Sequence, residues 1–197
     1  MSQEEKQVQW VIREAPEGWR DLVPEGMPGI LGQLLAQRGV HYDEVERFLR
    51  PRLAELTDPF EIPEINLAVE RILHAVDKEE RVCVYGDYDV DGVSSIAVLC
   101  KTLEAFGLKP ASFIPRRSSE GYGLSEGGLR RCLNECGKPD LMISVDCGTV
   151  SNEAIAMLKK QGVDTVVVDH HEIGPDGRPD CVALVNPKAS GHSLEYL

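Results

Sequence analysis

Short apolar runs alternate with amphipathic segments along most of the chain after residue 63. Apolar residues at helical spacing predict helices over 64–79, 93–107, 125–137 and 151–162, and continuous apolar runs predict strands over 81–85, 111–115, 141–145, 165–168 and 181–186. Strands of this kind, separated by amphipathic helices, are typical of a parallel sheet covered on both faces. We therefore predict an α/β fold, a Rossmann-like doubly wound domain with a mainly parallel sheet.

Residues 1–60 follow a different pattern. The stretches 27–40 and 42–53 carry apolar residues at helical spacing, and Gly39 and Pro51 stand where helices would end. The stretch 58–65 predicts an extended connection, because each of its two prolines disfavours helix in the residue before it. We predict a small helical segment over 1–60, followed by the α/β domain over 61–197.

Composition and charge narrow the function classes. The 197 residues can bury one sizeable core, and the net charge of −12 argues against a simple electrostatic binder of nucleic acid. No apolar stretch approaches membrane-spanning length, and the first residues lack the basic and hydrophobic regions of a signal peptide. A cytoplasmic location without a membrane partner is the expectation.

The six cysteines are scattered along the chain, and reduced thiols are expected. Cys132 and Cys136 lie one helical turn apart, but no second cysteine pair and no histidine stands near them in the sequence. Structural zinc sites use four ligands, so the sequence does not favour a zinc site here.

Acidic residues follow three of the predicted strands, and two histidines follow one of them. The residues concerned are Asp87, Asp89 and Asp91 after the first strand, Asp146 after the third, and Asp169, His170 and His171 after the fourth. In a parallel sheet of this type ligands bind beyond the carboxyl ends of the strands. These side chains are therefore expected to gather at one edge of the sheet.

A metal centre built from several strand ends explains this pattern better than an EF-hand loop or an ordinary turn does. The first motif begins like a calcium-binding EF-hand loop, but its twelfth position is Val98 where such a loop has glutamate, and a strand precedes it. Ordinary turn chemistry accounts for one Asp-Gly pair but not for acid after three strands.

Carboxylate and imidazole ligands suit Mn²⁺, with Mg²⁺ or Zn²⁺ left open. Two such ions that share a carboxylate would activate water and neutralise a phosphate, so phosphoester hydrolysis is the leading chemistry. Residues 92–94 and 148–151 are predicted to open helices whose amides can face an anion, although Ser151 taken alone predicts a helix cap.

The motifs GDYDVDG, RRSSEGYGL, SVDCGT and VVVDHH, in this order, resemble the DHH phosphoesterase superfamily. The chain most closely resembles the members that degrade single-stranded DNA from the 5′ end, because the match extends to LLAQRGV, FLRPRL, DPFEIPEINLAVERI and VNPK. This resemblance implies that Asp89, Asp91 and His170 bind metal, with Asp146 as a bridge between two ions. It also implies that His171 holds or polarises the scissile phosphate.

The resemblance assigns the remaining residues less firmly. Asp87 is expected as a metal ligand or, like Asp169, as a group that orients ligands. Arg117 and Tyr122 match residues that contact the phosphate backbone, although a solvated surface charge is the alternative for Arg117. Gly148 is expected in the substrate-binding loop.

The resemblance implies a metal-dependent 5′-to-3′ exonuclease acting on single-stranded DNA in repair and recombination, as a monomer with two Mn²⁺ or Mg²⁺ ions in the complete protein. Similar chains continue beyond the position of Leu197 with another acidic ligand and further domains, so the domain over 61–197 is expected to be cut short at its carboxyl end. The alternatives are an enzyme that hydrolyses pyrophosphate, cyclic dinucleotides or short oligonucleotides, and a non-catalytic scaffold. The helical segment over 1–60 favours the exonuclease, and the intact motifs disfavour the scaffold.

Overall fold

The computed structural model describes residues 11–189, and this part of the chain forms two compact units with the division between Leu56 and Thr57. In the first unit, α1 (Gly29–Gln37) and α2 (Val45–Leu49) accompany 3₁₀ turns at Trp19–Leu22, Tyr42–Glu44 and Leu53–Glu55. Its small core contains Leu35, Val40 and Val45. The assignment of 1–60 and 61–197 as separate domains stays a prediction.

Over residues 57–189, the second unit is a five-stranded parallel sheet with four α-helices. Its elements are α3 (Ile65–Asp77), β1 (Val82–Gly86), α4 (Val90–Ala105), β2 (Ala111–Phe113), α5 (Glu126–Cys136), β3 (Leu141–Val145), α6 (Asn152–Lys160), β4 (Asp164–Val168) and β5 (Ala183–Val185). The strand order is β2-β1-β3-β4-β5, and every pair of neighbours is parallel. The prediction of a doubly wound α/β domain is confirmed.

The two faces of the sheet bury different side chains because neighbouring residues of a strand point to opposite sides. On β1, Val82 and Val84 lie in one apolar cluster with residues of α3 and α4. Cys83 and Tyr85 lie in the other cluster, with residues of α5 and α6. Burial on both faces explains why the strands read as continuous apolar runs.

Two local predictions differ from the structure. Helix α4 begins at Val90, earlier than the predicted residue 93. The connection after Leu56 contains a 3₁₀ turn at Pro59–Glu61 where extended chain was predicted, because the Asp58 carboxylate accepts a hydrogen bond of 2.9 Å from the Phe60 N–H. Within residues 11–189, no helix combines the length and apolar character needed to cross a membrane.

The strand order reverses direction at the edge where the metal-binding pattern was predicted. β1 lies between β2 and β3. The connection that leaves β1 leads to β2 and the one that leaves β3 leads to β4, so these two connections run in opposite directions along the sheet. Ligands of doubly wound sheets bind at such a reversal, outside the carboxyl ends of the strands. Asp87 follows β1 directly and Asp146 follows β3, so both acids stand at this position.

Candidate metal centre

The loops after β1 and β3 bring three carboxylates together. One oxygen from each of Asp87, Asp89 and Asp146 lies within 4.8 Å of the others. Asp87 is only 1% exposed, and neither of its carboxylate oxygens has a hydrogen-bond partner among residues 11–189. A buried carboxylate without a partner is costly, whereas a cation among three carboxylates would remove that cost. The residues therefore fit a divalent metal ion.

The start of α4 fixes the geometry of the first motif. Asp89 is the N-cap of this helix, and its carboxylate accepts a hydrogen bond of 3.0 Å from the Gly92 N–H. This hydrogen bond holds the pKa of Asp89 below its ordinary value. A Cβ atom at Gly92 would lie 2.6 Å from the Asp87 backbone nitrogen, so only glycine lets the helix begin this close to Asp87.

Asp146 has a strained backbone, and its surroundings disfavour its negative charge. Its φ angle of 57° lies in the left-handed region, and its N–H donates to the Val168 carbonyl over 2.9 Å. Burial and the nearby Asp89 carboxylate raise the pKa of Asp146 above its ordinary value. A carboxylate whose negative charge is opposed in this way is a strong candidate for binding a cation.

A second group of possible ligands shares Asp146 with the first. Ligand atoms of Asp146, His170 and His171 lie within 4.8 Å of one another, and the His170 Nε2 atom is 3.1 Å from an Asp146 carboxylate oxygen. Asp146 is therefore the side chain common to both groups, and it lies between the carboxylates that follow β1 and the histidines that follow β4.

Asp169 orients the histidines and belongs to neither group. It is buried, and it accepts hydrogen bonds from the Thr149 N–H (2.9 Å), the His170 N–H (2.7 Å) and the His171 Nδ1 atom (2.7 Å). Burial opposes its negative charge, but the hydrogen bonds from Thr149 and His171 prevail and lower the pKa of Asp169. With Nδ1 on Asp169, the Nε2 atom of His171 faces the Tyr122 hydroxyl at 2.6 Å.

The other predicted site residues lie around this centre in different ways. Burial and the carboxylates of Asp87 and Asp146 raise the pKa of Tyr122. The Arg117 guanidinium lies 5.3 Å from the centroid of the Tyr88 ring. Tyr88 is the residue between the first two acids of the first motif. At Gly148, the φ of 116° and the nearby Ser144 side chain exclude any residue but glycine. Asp91 is exposed and belongs neither to the carboxylate group nor to the group with the histidines.

Two supporting contacts were not predicted from the sequence. The fully buried Asn186 amide donates hydrogen bonds of 2.9 Å to the Thr149 hydroxyl and to the His171 carbonyl. Asn186 lies in the matched stretch VNPK, but its partners could not be predicted from the sequence, because they lie on loops after different strands. Ser151, predicted as a helix cap, is the N-cap of α6 but makes no side-chain capping hydrogen bond.

The second unpredicted contact is an ion pair that holds the loop over 116–124. Glu120 accepts hydrogen bonds from Arg131 Nε (2.5 Å), Arg131 Nη2 (2.9 Å) and the Arg116 N–H (2.6 Å). The Arg131 guanidinium also lies 4.2 Å from the Phe113 ring centroid. Arg131 thus connects α5 to the loop that carries Arg117 and Tyr122, and it lowers the pKa of Glu120 to about 2.

Comparison with known proteins identifies relatives with the same fold. Residues 81–193 match the family model described as "DHH family, N-terminal domain". The single-stranded-DNA-specific exonuclease RecJ of Bacillus subtilis is 38% identical over 85% of this chain and 21% of its own length. A crystal structure of exonuclease RecJ bound to manganese superposes with a TM-score of 0.61 and 30% identity, over 68% of this chain and 34% of that one.

RecJ from Thermus thermophilus in complex with Mn²⁺ is 26% identical and gives a TM-score of 0.60, over 89% of this chain and 24% of that one. The chain thus spans about a fifth to a third of the length of these relatives. The family model covers both strand-end loops that form the carboxylate group as well as the paired histidines. The chain belongs to the DHH family.

Proposed function

We propose that this chain is the metal-binding part of a 5′-to-3′ exonuclease that hydrolyses phosphodiester bonds of single-stranded DNA in repair and recombination. The observation that carries the proposal is the buried Asp87 carboxylate, which has no hydrogen-bond partner in the described chain and lies beside Asp89 and Asp146. Such an arrangement is costly in a protein that binds no cation there.

The donor atoms indicate which ions the centre holds. Oxygen atoms from Asp87, Asp89 and Asp146 suit Mn²⁺ or Mg²⁺, and the imidazole of His170 favours Mn²⁺ over Mg²⁺. We assign Asp146 as the ligand shared by two ions, since it is the member common to both groups. Asp91 is proposed as a further ligand on the strength of the DHH motif. When bound, these ions would lower the pKa of an attacking water and neutralise charge on the phosphate.

The side chains around the carboxylates would hold the substrate. Asp169 accepts a hydrogen bond from Nδ1 and so fixes the His171 ring with Nε2 directed away from the acid. In its doubly protonated form this ring can donate a hydrogen bond from Nε2 to a phosphate oxygen. The Tyr122 hydroxyl adjoins the same nitrogen, and the exposed Arg117 can bind a second phosphate through its planar guanidinium. Gly148 is proposed as part of the substrate-binding loop on the strength of the DHH motif, and its φ of 116° and the contact of a Cβ with Ser144 require glycine there.

The proposed substrate is supported by the relatives and has to be consistent with the net charge. RecJ proteins that match most of this chain are described as specific for single-stranded DNA. Because the net charge is −12, attraction of DNA to this part of the protein must come from bound cations and from local arginines such as Arg117. The polarity of degradation, the monomeric state and the cytoplasmic location stay predictions.

The experiment compares the rates at which the complete protein that contains this chain hydrolyses different substrates. With Mn²⁺ present, we expect faster hydrolysis of 5′-phosphorylated single-stranded DNA than of duplex DNA, pyrophosphate or a cyclic dinucleotide. Asp146→Asn should abolish hydrolysis, while Asp77→Asn, an exposed acid on α3, should leave the rate unchanged. Preferential hydrolysis of pyrophosphate or of the cyclic dinucleotide would overturn the exonuclease assignment while keeping the metal centre.

A further inference from the structure

A cluster of three cysteines lies apart from the carboxylates and the histidines. The sulfur atoms of Cys83 on β1 and of Cys132 and Cys136 on α5 all lie within 4.8 Å of one another, and those of Cys83 and Cys132 are 3.6 Å apart. The spacing of Cys132 and Cys136 places both on the helix face that packs against the sheet. The sequence pattern lacked a third ligand for this pair, and the fold supplies one from a strand that lies 49 residues earlier.

The surroundings of these thiols are apolar, with one open side. Cys83 is 1% exposed, Cys132 is fully buried, and both belong to the apolar cluster that contains Phe113 and Met142. Cys136 is half-buried, and its sulfur lies 4.0 Å from the carbonyl oxygen of Ser112 at the edge strand. An ion could therefore enter past Cys136 and reach two sulfur atoms that water does not contact.

We propose that Cys83, Cys132 and Cys136 bind one thiophilic cation through three sulfur atoms, and that monovalent copper is the ion this site suits. Thiolate ligands select soft ions such as Cu⁺ and Zn²⁺, but structural zinc sites take four ligands. A metal–sulfur bond of about 2.3 Å places three sulfurs of a planar site about 4 Å apart, close to the separations found here. The β1 residue Cys83 is paired in register with Met142, whose thioether is another soft donor in the same cluster.

The binding step involves protons but no electrons. Each thiol that binds the ion loses its proton to solvent, and the ion enters and stays as Cu⁺. Affinity should therefore rise with pH. The proposal does not depend on the exonuclease assignment, because none of the three cysteines belongs to the carboxylate or histidine groups.

The test is a competition for Cu⁺ under anaerobic, reducing conditions. The chain is titrated into the coloured complex of Cu⁺ with bicinchoninate, and loss of colour measures transfer to the protein. We expect one Cu⁺ per chain together with ultraviolet absorption from thiolate-to-copper charge transfer. Cys136→Ser should weaken binding by about tenfold or more, since it removes one of three ligands. Cys100→Ser, a matched change at a half-buried cysteine outside the cluster, should bind as the unmodified chain does.

Two results would overturn the proposal. One is an unmodified chain that takes no Cu⁺ from the chelator; the other is a Cys136→Ser variant that binds as tightly as Cys100→Ser. Because Cys136 is half-buried, its serine variant should fold, and far-UV circular dichroism checks this. Asp146→Asn should keep the Cu⁺ site, which separates this site from the proposed manganese centre.

Discussion

Replacing Asp87 with asparagine should affect the metal-free and metal-bound chain in opposite directions. Asp87 is 1% exposed, and neither carboxylate oxygen has a partner in the described chain. An asparagine has the same shape without the charge, and its amide can donate hydrogen bonds to the neighbouring carboxylates of Asp89 and Asp146. The variant therefore relieves a cost in the metal-free chain and removes a ligand from the metal-bound one.

The size of the effect follows from the geometry. A buried polar group without a partner costs about 1–3 kcal/mol. Repulsion from a carboxylate within 4.8 Å adds about 3 kcal/mol at an effective dielectric constant of about 20, before relaxation. Because relaxation of the surrounding side chains offsets much of this repulsion, we expect Asp87→Asn to raise the metal-free free energy of unfolding by about 1–3 kcal/mol. In the unmodified chain, Mn²⁺ at a hundredfold excess over Kd should add about 2.7 kcal/mol, and the variant should lose this gain.

The assay is guanidinium unfolding with a chelator and, separately, with Mn²⁺. Both tryptophans, Trp10 and Trp19, precede Leu56, so far-UV circular dichroism is the better probe of the unit that holds the metal centre. Asp77→Asn controls for the loss of one negative charge at an exposed position. A variant that is less stable without metal, yet keeps the full stabilisation by Mn²⁺, would refute the reasoning about Asp87.

Two further substitutions test the supports of the centre. Gly92→Ala places a Cβ atom 2.6 Å from the Asp87 backbone nitrogen, so denaturation should show a loss of at least about 2 kcal/mol; Gly127→Ala in α5, where nothing lies within 4 Å, should not destabilise the chain. Arg131 lowers the pKa of Glu120 from 4.5 to about 2, so this pair stabilises the fold above about pH 4.5 and the stabilisation disappears as the pH falls toward 2. In Glu120→Gln the pH dependence of unfolding in this window should flatten, and an unchanged slope would show that the pair contributes nothing.

The fold could be predicted from the sequence because its signal is local. Continuous apolar strands and amphipathic helices indicate a parallel sheet covered on both faces, and carboxyl ends of parallel strands share one edge. This reasoning alone places Asp87 and Asp146 at the same edge, where the structure has them. The order of the strands is not local, since the same alternation of elements is compatible with several sheet orders.

Details of the site depend on where helices begin and how loops meet. The family resemblance gave Asp89 and Asp91 as metal ligands and Asp87 less firmly, and in the structure Asp87 is the acid grouped with Asp89. Helix α4 starts at Val90, so Asp91 follows helical geometry while Asp87 and Asp89 do not. Glu120 meets Arg131 only because α5 packs beside the loop over 116–124. Asn186 and the third sulfur, from Cys83, likewise depend on contacts between elements far apart in the chain.

The most direct test of the central claim is to locate manganese itself. A crystal of the chain soaked in Mn²⁺ is measured at the manganese absorption edge, and an anomalous difference map is calculated. We expect a peak bounded by the carboxylates of Asp87, Asp89 and Asp146, and a second ion where Asp146 approaches His170. A map with manganese bound elsewhere and no peak at these carboxylates would contradict the account.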